Sequence, residues 1–312
     1  MTPRTPPVWL AVGGAVTVGV LTAVQARING QLGVRLEDGL VAAAISFGSG
    51  LVLLIVLSVA LREGRLGFAA LRDGVRSRAI PVWMLAGGAA GALTVATQGL
   101  AVGLIGVSLF TVGVVAGQTV SGLALDRIGY SPAGPVAVTV PRLIGGALAL
   151  AAVGIALVGD GLADVPIWML VLPLAAGIGI AWQQATNGRL RQRVGTALTA
   201  TLVNFVGGTL LLVVAAVIHV AVTGAPAAFP AEPWLYAGGA IGVVYIFLSA
   251  VLVSYTGVLL LGLGAVVGQL ITSVLLDLVW PAPAGPALFQ QLAMVAVALV
   301  SVLIATWPRR AR

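Results

Sequence analysis

The sequence predicts an all-α, polytopic membrane protein of ten transmembrane helices, arranged as two inverted five-helix repeats. Three observations lead there. The 312-residue chain is 60% hydrophobic and only 8% charged, whereas a soluble domain carries roughly 25% charged residues. Apolar runs of the roughly 20 residues needed to cross a bilayer recur ten times. The second half of the chain also repeats the first. A soluble enzyme would need a core with almost no polar shell and is excluded. The 42 glycines do not signal a collagen-like or disordered chain; small residues let membrane helices approach closely.

Between charged residues and Gly/Pro breaks, the runs are Val8–Ala26, Leu40–Leu61, Pro81–Leu100, Gly103–Leu125 and Val136–Val158 in the first half. In the second half they are Pro166–Ala185, Leu198–Val220, Trp234–Val253, Thr256–Leu276 and Ala287–Trp307. The first and sixth can run on to Leu32 and Leu190. Arg4 before the first run resembles a signal peptide, but the sixth run repeats it deep inside the chain, so both are read as retained helices. The longest connection, Arg62–Ile80, is read as a loop, too short for a soluble module.

Arginine placement sets the orientation. With a cytoplasmic N-terminus, the cytoplasmic segments hold Arg4, the group Arg62, Arg65, Arg72, Arg76 and Arg78, then Arg127, then Arg189, Arg191 and Arg193, then Arg309, Arg310 and Arg312. Only Arg27 and Arg35 fall outside, with the Asp160–Asp164 linker; Arg142 is unassigned. This bias predicts that both termini are cytoplasmic. Arginines clustered between apolar spans do not describe a nucleic-acid surface.

The repeat is carried by residues that rarely coincide by chance. Gln25-x-x-x-Asn29-Gly30 aligns with Gln183-x-x-x-Asn187-Gly188, and at the same offset Phe47 and Gly50 align with Phe205 and Gly208. A second offset takes Trp83-x-x-Ala86-Gly87-Gly88-Ala89-x-Gly91 onto Trp234-x-x-Ala237-Gly238-Gly239-Ala240-x-Gly242. The same offset takes Gln118, Asp126 and Pro132-Ala-Gly-Pro135 onto Gln269, Asp277 and Pro283-Ala-Gly-Pro286. Five spans per half is an odd number, so the second half (161–312) enters the membrane upside down relative to the first (1–160). Inverted repeats are a recurring plan of secondary transporters, with substrate at the repeat interface.

On Gln25-x-x-x-Asn29-Gly-x-Leu32 with Ser46-Phe47-x-x-Gly50, and Gln183-x-x-x-Asn187-Gly-x-Leu190 with Asn204-Phe205-x-x-Gly208, the chain resembles the drug/metabolite transporter (DMT) superfamily. Within it, the chain is similar to the YdcZ-like family of inner-membrane exporters in its two-repeat, ten-helix form. The resemblance implies an EamA-like helical bundle around a central cavity in a bacterial inner membrane. It also implies export of a small organic metabolite or drug-like solute by alternating access. It names no substrate.

Gln25 and Asn29, like Gln183 and Asn187, are four residues apart and share a helix face. An amide in hydrocarbon either lines a wet cavity or ties helices together, and both readings stand. Gln118 and Gln269 take the same two readings. Trp182 and Tyr245 replace Val24 and Thr94 of the first half and are candidates for a cavity wall. Asp126 and Asp277, at helix ends, are candidates for ion coupling or for structural hydrogen bonding. Trp9, Trp168 and Trp307 read as interface anchors and His219 as a boundary residue.

With no cysteine and one histidine, disulfides, thiolate and multi-histidine metal sites, haem and cysteine nucleophiles are excluded; no paired aspartates lie in or beside the membrane, and neither an enzyme nor a cofactor is expected. Gly262-Leu-Gly264-Ala-Val-Val-Gly268 lacks the spacing of a nucleotide loop and reads as helix packing. Small multidrug-resistance exporters use a carboxylate in the first helix; neither first helix here has one, which argues against proton-coupled export of cations. The expected partners are a small-molecule solute and the lipid bilayer, not nucleic acid. Monomer and homodimer are both compatible with the sequence. The rival readings are a non-transporting membrane scaffold or subunit and a proton-coupled cation exporter of the small multidrug-resistance kind.

Overall fold

The computed structural model describes residues 8–130, 135, 137–156 and 166–305, and among them every regular element is helical. The side chains of Trp9 and Asp126, the Asp160–Asp164 linker, Pro132–Gly134, Trp307 and the terminal arginines lie outside the described residues.

The chain opens with α1 (Val8–Leu36), a single helix longer than the first expected span. Asp38 then caps α2 (Gly39–Ala60), its carboxylate accepting the N–H groups of Leu40 and Val41 at 2.9 Å each. The segment expected to be a loop is instead α3 (Arg62–Arg76). Hydropathy overlooks it because it is amphipathic rather than apolar: Gly64, Gly67, Leu71 and Val75 turn inward while arginines face out.

A 3₁₀ turn (Val82–Leu85) leads into α4 (Gly87–Thr97), which continues through a π turn (Gln98–Val102) and the short α5 (Gly103–Ile105). The helix stops at Gly106, whose φ of 84° favours glycine, and α6 (Val107–Arg127) begins. Next come α7 (Val140–Ala156) and α8 (Ile167–Val194), ended by left-handed Gly195, then α9 (Ala197–Thr223), capped by Thr196. A 3₁₀ turn (Pro233–Tyr236) precedes α10 (Gly238–Val279), and α11 (Leu288–Ala305) closes the described chain.

Two further expectations differ from the structure. Arg27, counted among outside charges, lies within α1 and is 5% exposed. The spans expected at Trp234–Val253 and Thr256–Leu276 are one helix, α10, of 42 residues. No proline or charge stands between them to break it. At 1.5 Å per residue such a helix is about twice as long as the bilayer core is thick. Five described helical stretches are long and apolar enough to span: Gly39–Ala60, Val82–Ile105, Val107–Leu125, Ile167–Val194 and Ala197–Thr223.

The helices are dressed for lipid. On α9, Leu210, Val214, Val217 and Ile218 point outward, each about half or more exposed, while Thr201, Asn204 and Gly208 are buried. Each such aliphatic left in water forgoes about 1.5–3 kcal/mol, a loss that hydrocarbon removes.

Packing recurs in exchanged pairs. Phe47 of α2 stacks on Phe205 of α9, centroids 4.8 Å apart; Phe47 fills the space a side chain at Gly208 would need, and Phe205 does so at Gly50. Gly88 backs onto the Asn204 carbonyl and Gly239 onto that of Ser46. Gly117 lies against the Leu174 carbonyl and Gly268 against that of Val16. Thus α6 packs on α8 and the end of α10 packs on α1 through glycines at matching positions.

Candidate functional site

The same exchange positions the amides. Gln25 and Asn29 of α1 lie over Gly242 and Gly238, while Gln183 and Asn187 of α8 lie over Gly91 and Gly87. Only glycine leaves room for an amide against the facing backbone, which is why the Gly-Gly-x-x-Gly pattern accompanies the Gln-x-x-x-Asn pattern.

The two amide pairs then diverge. In α8, Gln183 Nε2 and Asn187 Nδ2 both donate to Asn204 Oδ1, at 2.9 and 3.1 Å, forming a three-amide knot. The position aligned with Asn204 is Ser46, whose shorter hydroxyl makes no hydrogen bond. Without that acceptor, Gln25 Nε2 donates to the Gly238 carbonyl at 2.8 Å and Asn29 Nδ2 to Gln98 Oε1 at 2.7 Å. Gln98 sits in the π turn, an element often found at functional sites.

A cavity of about 60 Å³ lies among α1, α8, α9 and α10. Gln183, Asn187, Tyr245 and Gln269 line it, with Thr22 and Ser249 among the other polar residues. Gln269 Oε1 is buried without a partner, and buried polar groups left so call for an explanation such as water or ligand. No charged side chain lines this cavity. A second, smaller cavity of about 10 Å³ shares Thr22, Ile180 and Gln269 with it and is bounded by Thr94 and Gln98. These occupy the places in the first half that Tyr245 and Ser249 occupy in the second.

Gln25 and Asn29 lie outside the described cavities, as do Gln118 and Trp182. Gln118 and Trp182 are half-buried. Asp277 is 4% exposed and caps α6 across the break at Gly106: its carboxylate accepts Val107 N–H at 2.9 Å and Ser108 N–H at 2.7 Å. The carboxylate thereby meets the positive end of that helix. His219 Nε2 stands 3.6 Å from Asp38 Oδ2.

Sequence reasoning missed Asn204, Gln98 and Arg27 as polar centres. Asn204 was visible inside its motif, since an amide beside Phe205 in hydrocarbon requires a partner. Gln98 had no signal beyond its type. Arg27 is buried with Nε and Nη1 unpartnered, its guanidinium 5.9 Å from the Trp280 ring centre, and Asp277 is the charge that acts on it.

A family model described as "Putative inner membrane exporter, YdcZ" matches residues 10–156 and again 168–305, two repeats covering nearly the whole chain. No curated protein matches.

Proposed function

Because this chain belongs to the YdcZ family of inner membrane exporters, we propose that it is a secondary transporter. It exports a small organic metabolite or drug-like solute by alternating access across the bacterial inner membrane. The family is one of transporters and not of enzymes. In the proposed architecture residues 1–160 and 161–312 are five-span repeats of opposite orientation, with both termini cytoplasmic. The exchanged glycine contacts support this reading, because each half offers the other the same surfaces.

One observation carries the proposal. Two uncharged cavities meet at Thr22, Ile180 and Gln269, about 60 Å³ on the side of Gln183 and about 10 Å³ on the side of Gln98. Ligand sites occupy about 300–1,000 Å³, so this is a contracted state, more open on one side. Exchanging the conformations of the halves would exchange the two vestibules. A lining of amides, hydroxyls and one tyrosine favours a solute recognised by hydrogen bonds rather than by charge. Gln183, Asn187, Tyr245 and Gln269 form its walls; Gln25, Asn29, Gln118 and Trp182 face the solute in other conformations. Asp126 and Asp277 remain the candidates for coupling.

The test is flux from a metabolite panel in proteoliposomes. Flux above protein-free vesicles, weakened by Gln183→Leu, supports transport; background flux across the panel overturns it.

The scaffold reading is favoured by a specific observation: in this state both amide pairs are hydrogen-bonded within the protein. It requires that Gln25→Leu and Gln183→Leu lower Tm while no solute raises the Tm of the unaltered protein.

A further inference from the structure

The helix α3 has two faces that serve different neighbours. Its inner face is docked on the bundle, and beside it Glu63, Leu66, Gly67 and Ala70 line a cavity of about 490 Å³ against the α8–α9 junction and Phe247 of α10. Gly64 abuts the backbone of Ser58, and Gly67 abuts the side chains of Thr196 and Thr199 at the start of α9. Leu71 and Val75 pack on the cluster of Ile80, Met84, Leu190, Val194 and Ala200. α3 is therefore a docked element.

Its outer face combines features that water does not reconcile. Arg62, Arg72 and Arg76 project outward and are exposed; their spacing keeps them within about one third of the helix circumference. Arg65 lies on the same side but donates to the Val59 and Ala60 carbonyls at 2.7 and 3.1 Å, closing the end of α2. Beside these cations Leu61, Leu66 and Phe68 are 48%, 60% and 57% exposed. Orientation by positive charge requires only arginines in a loop. It does not require a helix, nor apolar side chains set between the charges. A basic amphipathic helix with protruding Leu and Phe is the form that lies in a membrane interface.

We propose that the outer flank of α3 binds anionic phospholipid of the adjoining leaflet. Arg62, Arg72 and Arg76 contact the headgroup phosphates, and Phe68 seats among the upper acyl carbons. Charge complementarity selects the occupant: the helix carries four arginines against Glu63 and Asp73, and although Asp73 pairs with Arg72 at 3.1 Å, that pair is exposed and the face keeps a net positive charge. Surface arginines draw anionic lipid over about a Debye length. Through Gly67 the bound lipid bears on Thr196 and Thr199, one turn or less from Ala200 and Thr201 in the cavity wall.

The experiment needs no substrate, so its outcome is independent of whether the chain transports. The purified full chain is melted in neutral detergent micelles doped with phosphatidylglycerol or with phosphatidylcholine. The unaltered protein is expected to gain several degrees of Tm from phosphatidylglycerol alone, a gain abolished by high salt. Arg62→Gln/Arg72→Gln/Arg76→Gln, which spares Arg65, should melt alike in both lipids. Phe68→Ser should halve the gain. Equal melting of the unaltered protein in both lipids, or a full gain retained by the triple variant, overturns the proposal. So does an equal gain from inorganic phosphate, which would show a free anion to be enough. If the triple variant does not fold, the salt series on the unaltered protein decides.

Discussion

At the scale of single residues, Gln269 and Asp277 stand about two turns apart on α10 yet have opposite accounts. Gln269 holds an unused acceptor at the cavity, so in the proposed transporter Gln269→Leu would remove one hydrogen bond to solute. One such bond is worth about 1 kcal/mol, more to a charged group. Flux should therefore fall by roughly fivefold while Tm stays within a few degrees; an unchanged flux would remove Gln269 from the site. Asp277→Ala strips the acceptor from two buried N–H groups and should cost about 2–3 kcal/mol, read as a lower denaturation midpoint, with Asp277→Asn intermediate. Arg27→Met should cost about 3–5 kcal/mol, read again as a lower denaturation midpoint, because it leaves the buried Asp277 carboxylate without the cation that acts on it. The sequence exposed the amides and the carboxylate, since polar residues in apolar runs stand out. It hid Arg27, whose charge marks a helix end by habit although α1 runs on to Leu36.

At the scale of elements, glycine contacts decide which helices touch. Gly88→Leu and Gly239→Leu each drive a side chain into a facing backbone, at Asn204 and Ser46 respectively. Both should abolish the folded fraction in a detergent size-exclusion assay, whereas Gly48→Leu and Gly122→Leu, with open space around them, should elute as the parent does. Equal behaviour of all four would separate the fold from these contacts. The repeated glycine pattern was legible beforehand, because matching positions require matching space. Two elements were not. α3 has too few apolar residues for a hydropathy window. Within α10 the two spans were separated at Ser254-Tyr255-Thr256-Gly257, which contains a glycine but no proline or charge that must end a helix.

At the scale of the whole molecule, the class of protein followed from composition, and the partnership between halves followed from the aligned motifs. The size of the cavity did not, because side-chain volumes in a contracted state leave no mark on a residue pattern. Opposite orientation of the halves is directly measurable, since the chain contains no cysteine. Single cysteines at Glu37 and Arg193, both exposed and following the two Gln-x-x-x-Asn segments, should react with impermeant thiol reagent from opposite sides of the membrane. Labelling from one side would remove the inverted architecture and alternating access with it.

The pairing of Asn204 with Ser46 breaks an otherwise balanced design. Under the proposed alternating access, a knot tied in one half and absent from the other sets the two postures apart in energy, so that one of them is home. A transporter so built waits with its mouth toward one compartment, and Ser46→Asn, by supplying the missing acceptor, should leave it waiting at both doors alike.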